Sequence, residues 1–126
     1  MQELKNVFKE MMKLVPGVDF MEMKERNSGK FRFPIFLTEE MRNTDLEVLE
    51  LSARSCNCLH RVGIHTIGDF VSQVSNEDDL RRIRNCGAKS VKEIMGKIFC
   101  YQYEVLDDNV KIKYVKEICK LNASIV

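Results

Sequence analysis

Residues 1–15 place Leu4, Val7, Phe8, Met11, Met12 and Val15 at helical spacing, with Lys5, Lys9 and Lys13 between them. That period predicts an amphipathic helix with a solvated basic stripe, closed by Pro16-Gly17. The next stretch changes period. Phe31, Phe33, Ile35 and Leu37 alternate with Arg32 between the first two, and Asn27-Ser28-Gly29 separates them from an earlier short run, Val18 to Lys24. Alternation beside a turn is a hairpin pattern. Pro34 has no N–H for a ladder, so it confines the second strand to an edge or breaks it.

Beyond a polar linker at 38–43 the signals become helical. Thr44-Asp45 can cap a brief turn anchored by Leu46, Leu49 and Leu51. Ser52 is an N-cap for a helix from Ala53 to about Val62, which Gly63 stops. Thr66-Ile67-Gly68-Asp69 is a capping-box start for a helix through Val74. Asn76, followed by Glu77, Asp78 and Asp79, opens another through Ile83. Gly87 breaks the helical run before a longer helix from Ala88 to about Tyr101, and Asp108 caps a last one through Leu121. The predicted fold is mainly α: a compact four-to-five-helix domain at 45–101, an N-terminal extension at 1–44 with one helix and the hairpin pattern, and a C-terminal helical extension at 102–126. Its expected core is Leu59, Val62, Ile64, Ile67, Phe70, Val71, Leu80, Ile83, Val91, Ile94 and Ile98.

Composition narrows the function classes. The 126 residues are 44% hydrophobic and 31% charged, as in ordinary globular domains, with a net charge of +1. A protein that holds DNA by bulk electrostatics is far more basic, so any DNA contact must be local and use few phosphates. No uninterrupted apolar run approaches the roughly 18 residues of a membrane span, and the start lacks a signal-peptide core. Five cysteines, at positions 56, 58, 86, 100 and 119, are an odd number without a secretion signal. Reduced thiols and a cytoplasmic location are expected. Cys56 and Cys58, near His60 and His65, suggest a metal site, but residues two apart on a helix point about 200° from each other. Neither a metal nor a cofactor is expected.

Two segments carry the candidate chemistry. On the helix after Ser52, Arg54, Asn57 and Arg61 share one stripe with Cys58 beside it, while Leu59 and Val62 fall opposite and face the core. In the second, the N–H groups around Gly87 to Ser90 have no intrahelical acceptor and can donate to an anion, with Lys89 and the Ser90 hydroxyl beside them. Glycine is expected there because closely spaced helices need a permissive backbone.

Residues 45–100 resemble the C-terminal domain of the bacterial RNA polymerase α subunit. Three collinear blocks carry the likeness: Leu51-Ser-Ala-Arg-Ser-Cys-Asn-Cys-Leu59, Gly63-Ile-His-Thr-Ile-Gly-Asp-Phe70 and Arg84-Asn-Cys-Gly-Ala-Lys-Ser-Val-Lys-Glu-Ile94. The resemblance implies a helix-hairpin-helix module that binds A/T-rich minor grooves of double-stranded DNA and contacts RNA polymerase, sigma factor or transcription activators. It implies that Arg54 enters the groove with Asn57 as partner and Cys58 in the same set. Asn85 and Gly87 then supply backbone contacts, Lys89 and Ser90 hold phosphate, Glu93 orients the arginine, and Glu50 touches sigma factor. The sequence departs from the family at Ala88, often basic there, and at Cys86, where a leucine-like residue is usual. The family's large assembly domain has no counterpart in these residues. The initial Met and the first helix lead us to expect a free-standing protein.

No catalysis is expected. Asp78-Asp79 and Asp107-Asp108 sit at helix starts, where capping accounts for them, and neither histidine has an obvious partner. The alternative reading is a protein–protein adaptor that contacts polymerase or sigma factor without binding DNA, through residues 1–37 and the last helix.

Overall fold

The computed structural model describes residues 2–26 and 31–123, and these form a mainly helical protein. The helices are α1 (Gln2–Leu14), α2 (Phe20–Arg26), α3 (Ala53–His60), α4 (Ile67–Gln73), α5 (Glu77–Arg81), α6 (Ala88–Val105) and α7 (Asp108–Ala123), with a single 3₁₀ turn at Leu46–Leu49. They fall into two compact units. One comprises the described residues of Met1–Pro34 and Gln102–Val126; the other is Ile35–Tyr101.

In the first unit, α1 buries Leu4, Val7, Phe8 and Met11 and leaves Lys5, Lys9 and Lys13 exposed, as its period predicts. Met12, assigned to the same apolar face, is 39% exposed. The expected hairpin is not formed. The run from Val18 is helical from Phe20, with the Asp19 carboxylate accepting the Glu22 N–H at 3.1 Å, and residues 31–38 are extended without a strand partner. The turn assigned to Asn27-Ser28-Gly29 lies outside the described residues. The cause is distant in sequence. The Asn122 side chain accepts the Arg32 N–H at 3.1 Å and donates to the Arg32 carbonyl at 2.8 Å. A single amide side chain thus meets both backbone groups that a neighbouring strand would have met. The Tyr114 hydroxyl donates to the Pro34 carbonyl at 2.9 Å, and Phe31 packs on Phe8 with ring centroids 5.0 Å apart.

The second unit is built on helix caps. Asp45 caps the 3₁₀ turn and buries Leu46 and Leu49 beneath it. An isolated antiparallel bridge pairs Asp45 with Thr66, the Leu46 N–H donating to the His65 carbonyl at 3.1 Å and the Ile67 N–H to the Thr44 carbonyl at 2.8 Å. Ser52, Thr66 and Asn76 cap α3, α4 and α5 through their side chains. Each such cap contributes about 1 kcal/mol. The core contains Leu59, Ile64, Ile67, Phe70, Leu80, Val91, Ile94 and Ile98, all fully buried.

Three expected core residues differ. Val71 and Ile83 are only half-buried, and Val62 is 41% exposed. Val62 lies past the end of α3, where the backbone closes in a Schellman turn. There the Gly63 N–H donates to His60 and the Ile64 N–H returns to the Leu59 carbonyl at 3.0 Å. Gly63, at φ 80°, takes the left-handed position, so Ile64 rather than Val62 is carried into the core. The helix α6 also runs beyond its expected end at Tyr101 to Val105, where Gln102 and Tyr103 are buried.

Candidate nucleic-acid interface

An open hollow of about 950 Å³ lies within the second unit. One wall is the outer stripe of α3, with Arg54, Asn57 and Arg61; the other is the end of α5, the turn after it and the first turn of α6. Seven of the eight DNA-contact residues expected from sequence line it: Arg54, Asn57, Cys58, Asn85, Gly87, Lys89 and Ser90. Glu93 does not, and neither does Glu50.

The first turn of α6 is unoccupied from within. The Gly87 carbonyl accepts the Val91 N–H at 3.0 Å, so α6 begins there. No acceptor within the described residues meets the N–H groups of Gly87, Ala88, Lys89 or Ser90. These are the orphan donors of a helix start, carrying the positive end of its dipole. Ser90 is only 4% exposed and still lines the hollow.

Glycine at 87 has a different reason from the one expected. Its φ is not positive; the left-handed residue of this turn is Asn85, at φ 66°, a conformation asparagine tolerates. A Cβ built on Gly87 would meet nothing within 4 Å. Nothing inside the protein therefore demands glycine, and the bare backbone faces outward. Gly68 is the opposite case: a Cβ there would run into the Arg42 carbonyl.

Cys58 is 3% exposed, and its thiol donates to the Asn85 carbonyl at 3.1 Å. It joins α3 to the turn from behind and offers little surface. Burial, with the Cys58 thiol beside it, pushes the Cys86 thiol up to about 11, so Cys86 stays neutral at ordinary pH. Glu93 makes no ion pair with Arg54. Its carboxylate accepts from the Ser52 N–H at 3.3 Å, from the Ser52 hydroxyl at 2.7 Å and from the Ser55 hydroxyl. Burial alone would raise its pKa. The hydrogen bonds from Ser55 and Ser52, helped by the Lys97 charge, outweigh that and hold it below the ordinary carboxylate value. Glu93 thus fastens the start of α3 to α6, and acts on the helix that carries Arg54 rather than on the guanidinium. Glu50 is exposed in the left-handed region at φ 51°, closing the 3₁₀ turn.

Electrostatically the hollow is one-sided. Arg54, Arg61, Arg81, Arg82, Arg84 and Lys89 line it and no carboxylate does. The arginines of the α5 end are absent from the site expected from sequence. Their signal is nonetheless present there as Arg81-Arg82-Ile83-Arg84, a cation cluster directly before the turn. A net charge of +1 conceals this, since acids elsewhere balance it.

The fold and the hollow define a small helical domain with an anion-accepting helix start opposite an arginine-bearing helix. Residues 37–98 match the family described as the C-terminal domain of the bacterial RNA polymerase alpha subunit, and this part of the protein belongs to that family. The protein is similar to the DNA-directed RNA polymerase subunit alpha of Cutibacterium acnes, 49% identical over 59 residues, which are 47% of the present sequence and 17% of that protein. With the subunit of Carboxydothermus hydrogenoformans it shares 35% identity over 82 residues, 65% of its own length and 23% of the relative. With that of a Nocardioides species it shares 51% over 53 residues, 42% and 15% respectively. It thus spans less than a quarter of these relatives' length. No solved structure matches it. No helix among the described residues is long and apolar enough to cross a membrane.

Proposed function

We propose that the second unit is a non-catalytic DNA-binding module acting in transcription, which holds A/T-rich double-stranded DNA by its minor groove. The observation that carries this reading is the hollow itself: a free helix start and a bare Gly87 on one wall, Arg54 and Asn57 on the other, and no acid between them. Phosphate oxygens suit the N–H groups of Gly87 to Ser90, with Lys89 adding charge. Arg54, exposed and without an ion-pair partner among the described residues, suits the groove between the strands. A/T tracts narrow that groove and deepen its negative potential, which favours an inserted arginine.

The relatives are subunits of DNA-directed RNA polymerase, which supports a place in transcription for this protein as well. RNA polymerase, sigma factor or an activator is the matching protein partner. Glu50, exposed and outside the hollow, is our candidate for that contact. A small number of phosphate contacts makes the module weak alone and effective when tethered to a larger assembly.

The test is a titration of labelled A/T-rich and G/C-rich duplexes at low salt, read by fluorescence anisotropy. The A/T-rich duplex should bind more tightly, and Arg54→Ala should lose about tenfold or more, a contact worth ~1–3 kcal/mol. Negligible binding of both duplexes overturns the reading. An Arg54→Ala protein that keeps both affinity and A/T preference overturns the groove assignment.

A further inference from the structure

The hollow holds more cation than the groove contact needs, and the surplus is unevenly paired. Arg81 is held by Glu77 at 3.4 Å and Arg82 by Asp79 at 3.4 Å, so each has its charge answered within α5. Arg61 and Arg84 have no carboxylate partner among the described residues, and both are exposed on the hollow. They stand on opposite walls. Arg61 follows α3, one helical stripe on from Arg54 and seven residues later, about 10 Å along the axis. Arg84 lies in the turn before α6, three residues ahead of Gly87.

The backbone of Arg84 is well fixed. It sits between Arg82, the helical cap of α5, and Asn85, whose left-handed backbone is tied through its carbonyl to the Cys58 thiol at 3.1 Å. A cation on a fixed turn loses less freedom on binding than one on a loose loop. The only cation that the first turn of α6 brings to the hollow is Lys89, since Ala88 carries none.

We infer that Arg61 and Arg84 are a second pair of phosphate contacts, one for each strand of the bound duplex. This rests on the minor-groove reading above. With Arg54 in a groove about 6 Å wide, the two phosphate rows lie on either side of it. Arg84 shares a wall with the α6 start and takes the next phosphate along the same strand. Arg61 shares a wall with Arg54 and takes a phosphate of the opposite strand. Both contacts carry charge without sequence information, so they raise affinity equally for every duplex.

The experiment measures binding constants of the full-length protein for one A/T-rich duplex across a salt series. Each phosphate contact contributes about 0.9 to the slope of log K against log salt. Arg61→Ala and Arg84→Ala should each lower the magnitude of the slope by about that amount, and Arg84→Lys should restore it. Loss of A/T preference is expected from Arg54→Ala alone. The strand assignment is read with duplexes made neutral by methylphosphonates on one strand at a time. Arg84→Ala should be insensitive to neutral linkages on one strand, and Arg61→Ala to those on the other. Both arginines are exposed and make no ion pair among the described residues, so thermal melts should coincide with the parent. Slopes unchanged in both variants, while the parent binds and Arg54→Ala does not, overturn this inference and leave the groove reading standing. A parent that binds no duplex overturns the groove reading itself. Identical strand sensitivity in the two variants overturns the assignment to separate strands.

Discussion

The starts of α4 and α6 belong to the same unit and carry the same kind of backbone, yet they end up in opposite states. At α4 every early donor is met from inside. The Ile67 N–H reaches the Thr44 carbonyl, Gly68 reaches Arg42, and Asp69 reaches the Thr66 hydroxyl, while the Asp69 carboxylate returns to the His65 and Thr66 N–H groups. At α6 the N–H groups of Gly87 to Ser90 meet nothing within the described protein. The glycines repeat the contrast. Gly68 is required because the Arg42 backbone occupies the space of a side chain, whereas Gly87 stands in open space. One helix start is structural and closed; the other is open, and the cations of the domain gather around it. Glycine and an N-terminal turn therefore indicate a binding site only when the protein itself does not fill them.

The contrast can be broken from either end. The largest effect is expected at the closed end. Gly68→Ala drives a methyl into the Arg42 carbonyl, which cannot rotate away as a side chain could. Overpacking of this sort costs ~1–3 kcal/mol and should lower the thermal midpoint by several degrees or more. DNA affinity per folded molecule should be unchanged. A Gly68→Ala protein as stable as the parent would contradict the structural role of this glycine.

At the open end the same substitution should do the reverse. Gly87→Ala has room and no strained backbone, so its melting temperature should match or slightly exceed the parent's. The added methyl stands between the backbone and an incoming phosphate, and a charge-assisted hydrogen bond lost there weakens DNA binding by about tenfold. Equal DNA affinity of Gly87→Ala and parent would mean that phosphate does not approach this turn.

The smallest effect concerns the tie between α3 and α6. Glu93 has its pKa held below the ordinary carboxylate value by the Ser55 and Ser52 donors, against the opposing effect of burial. A depressed folded-state pKa contributes stability that is present above the unfolded-state value, near 4.3 for glutamate. It is lost as pH falls through the lower folded value. Asp69, lowered chiefly by the His65 N–H, has the same sign at α4. Glu93→Gln should therefore flatten the acid limb of the stability-versus-pH curve without removing it. Coincident acid limbs for Glu93→Gln and parent would show that Glu93 does not hold α3.

Much of the second unit is legible in the sequence because its helices announce their starts locally. Ser52, Thr66 and Asn76 are capping residues within three positions of the groups they bind, so local chemistry is enough to find them. The residues of the site are legible too, since Arg54 and Asn57 are set on one face by helical period alone. The misreadings share a different cause. The alternation of Phe31 and Phe33 suggests a strand, but the groups that pair their backbone belong to Asn122, 90 residues on. Val62 fits the apolar period of α3, but the Schellman turn ends the helix before the period reaches it. The family resemblance pairs Glu93 with Arg54, and only the packing of α6 on α3 gives its carboxylate to two serines instead.

The sequence by itself determined where helices begin, which residues face outward on α3, and that a cationic turn precedes α6. Helix period and capping act over three or four residues, so these follow from near neighbours in the sequence. Tertiary structure decided which helix start would be left open and which glycine would be filled. It also placed the arginines of α5 and of the turn after it opposite Arg54. Those outcomes depend on what other segments bring within a few ångströms, and local chemistry carries no record of that. A near-neutral protein thus holds a hollow lined by six cations and no acid, because packing sorts like charges into one place that composition averages away.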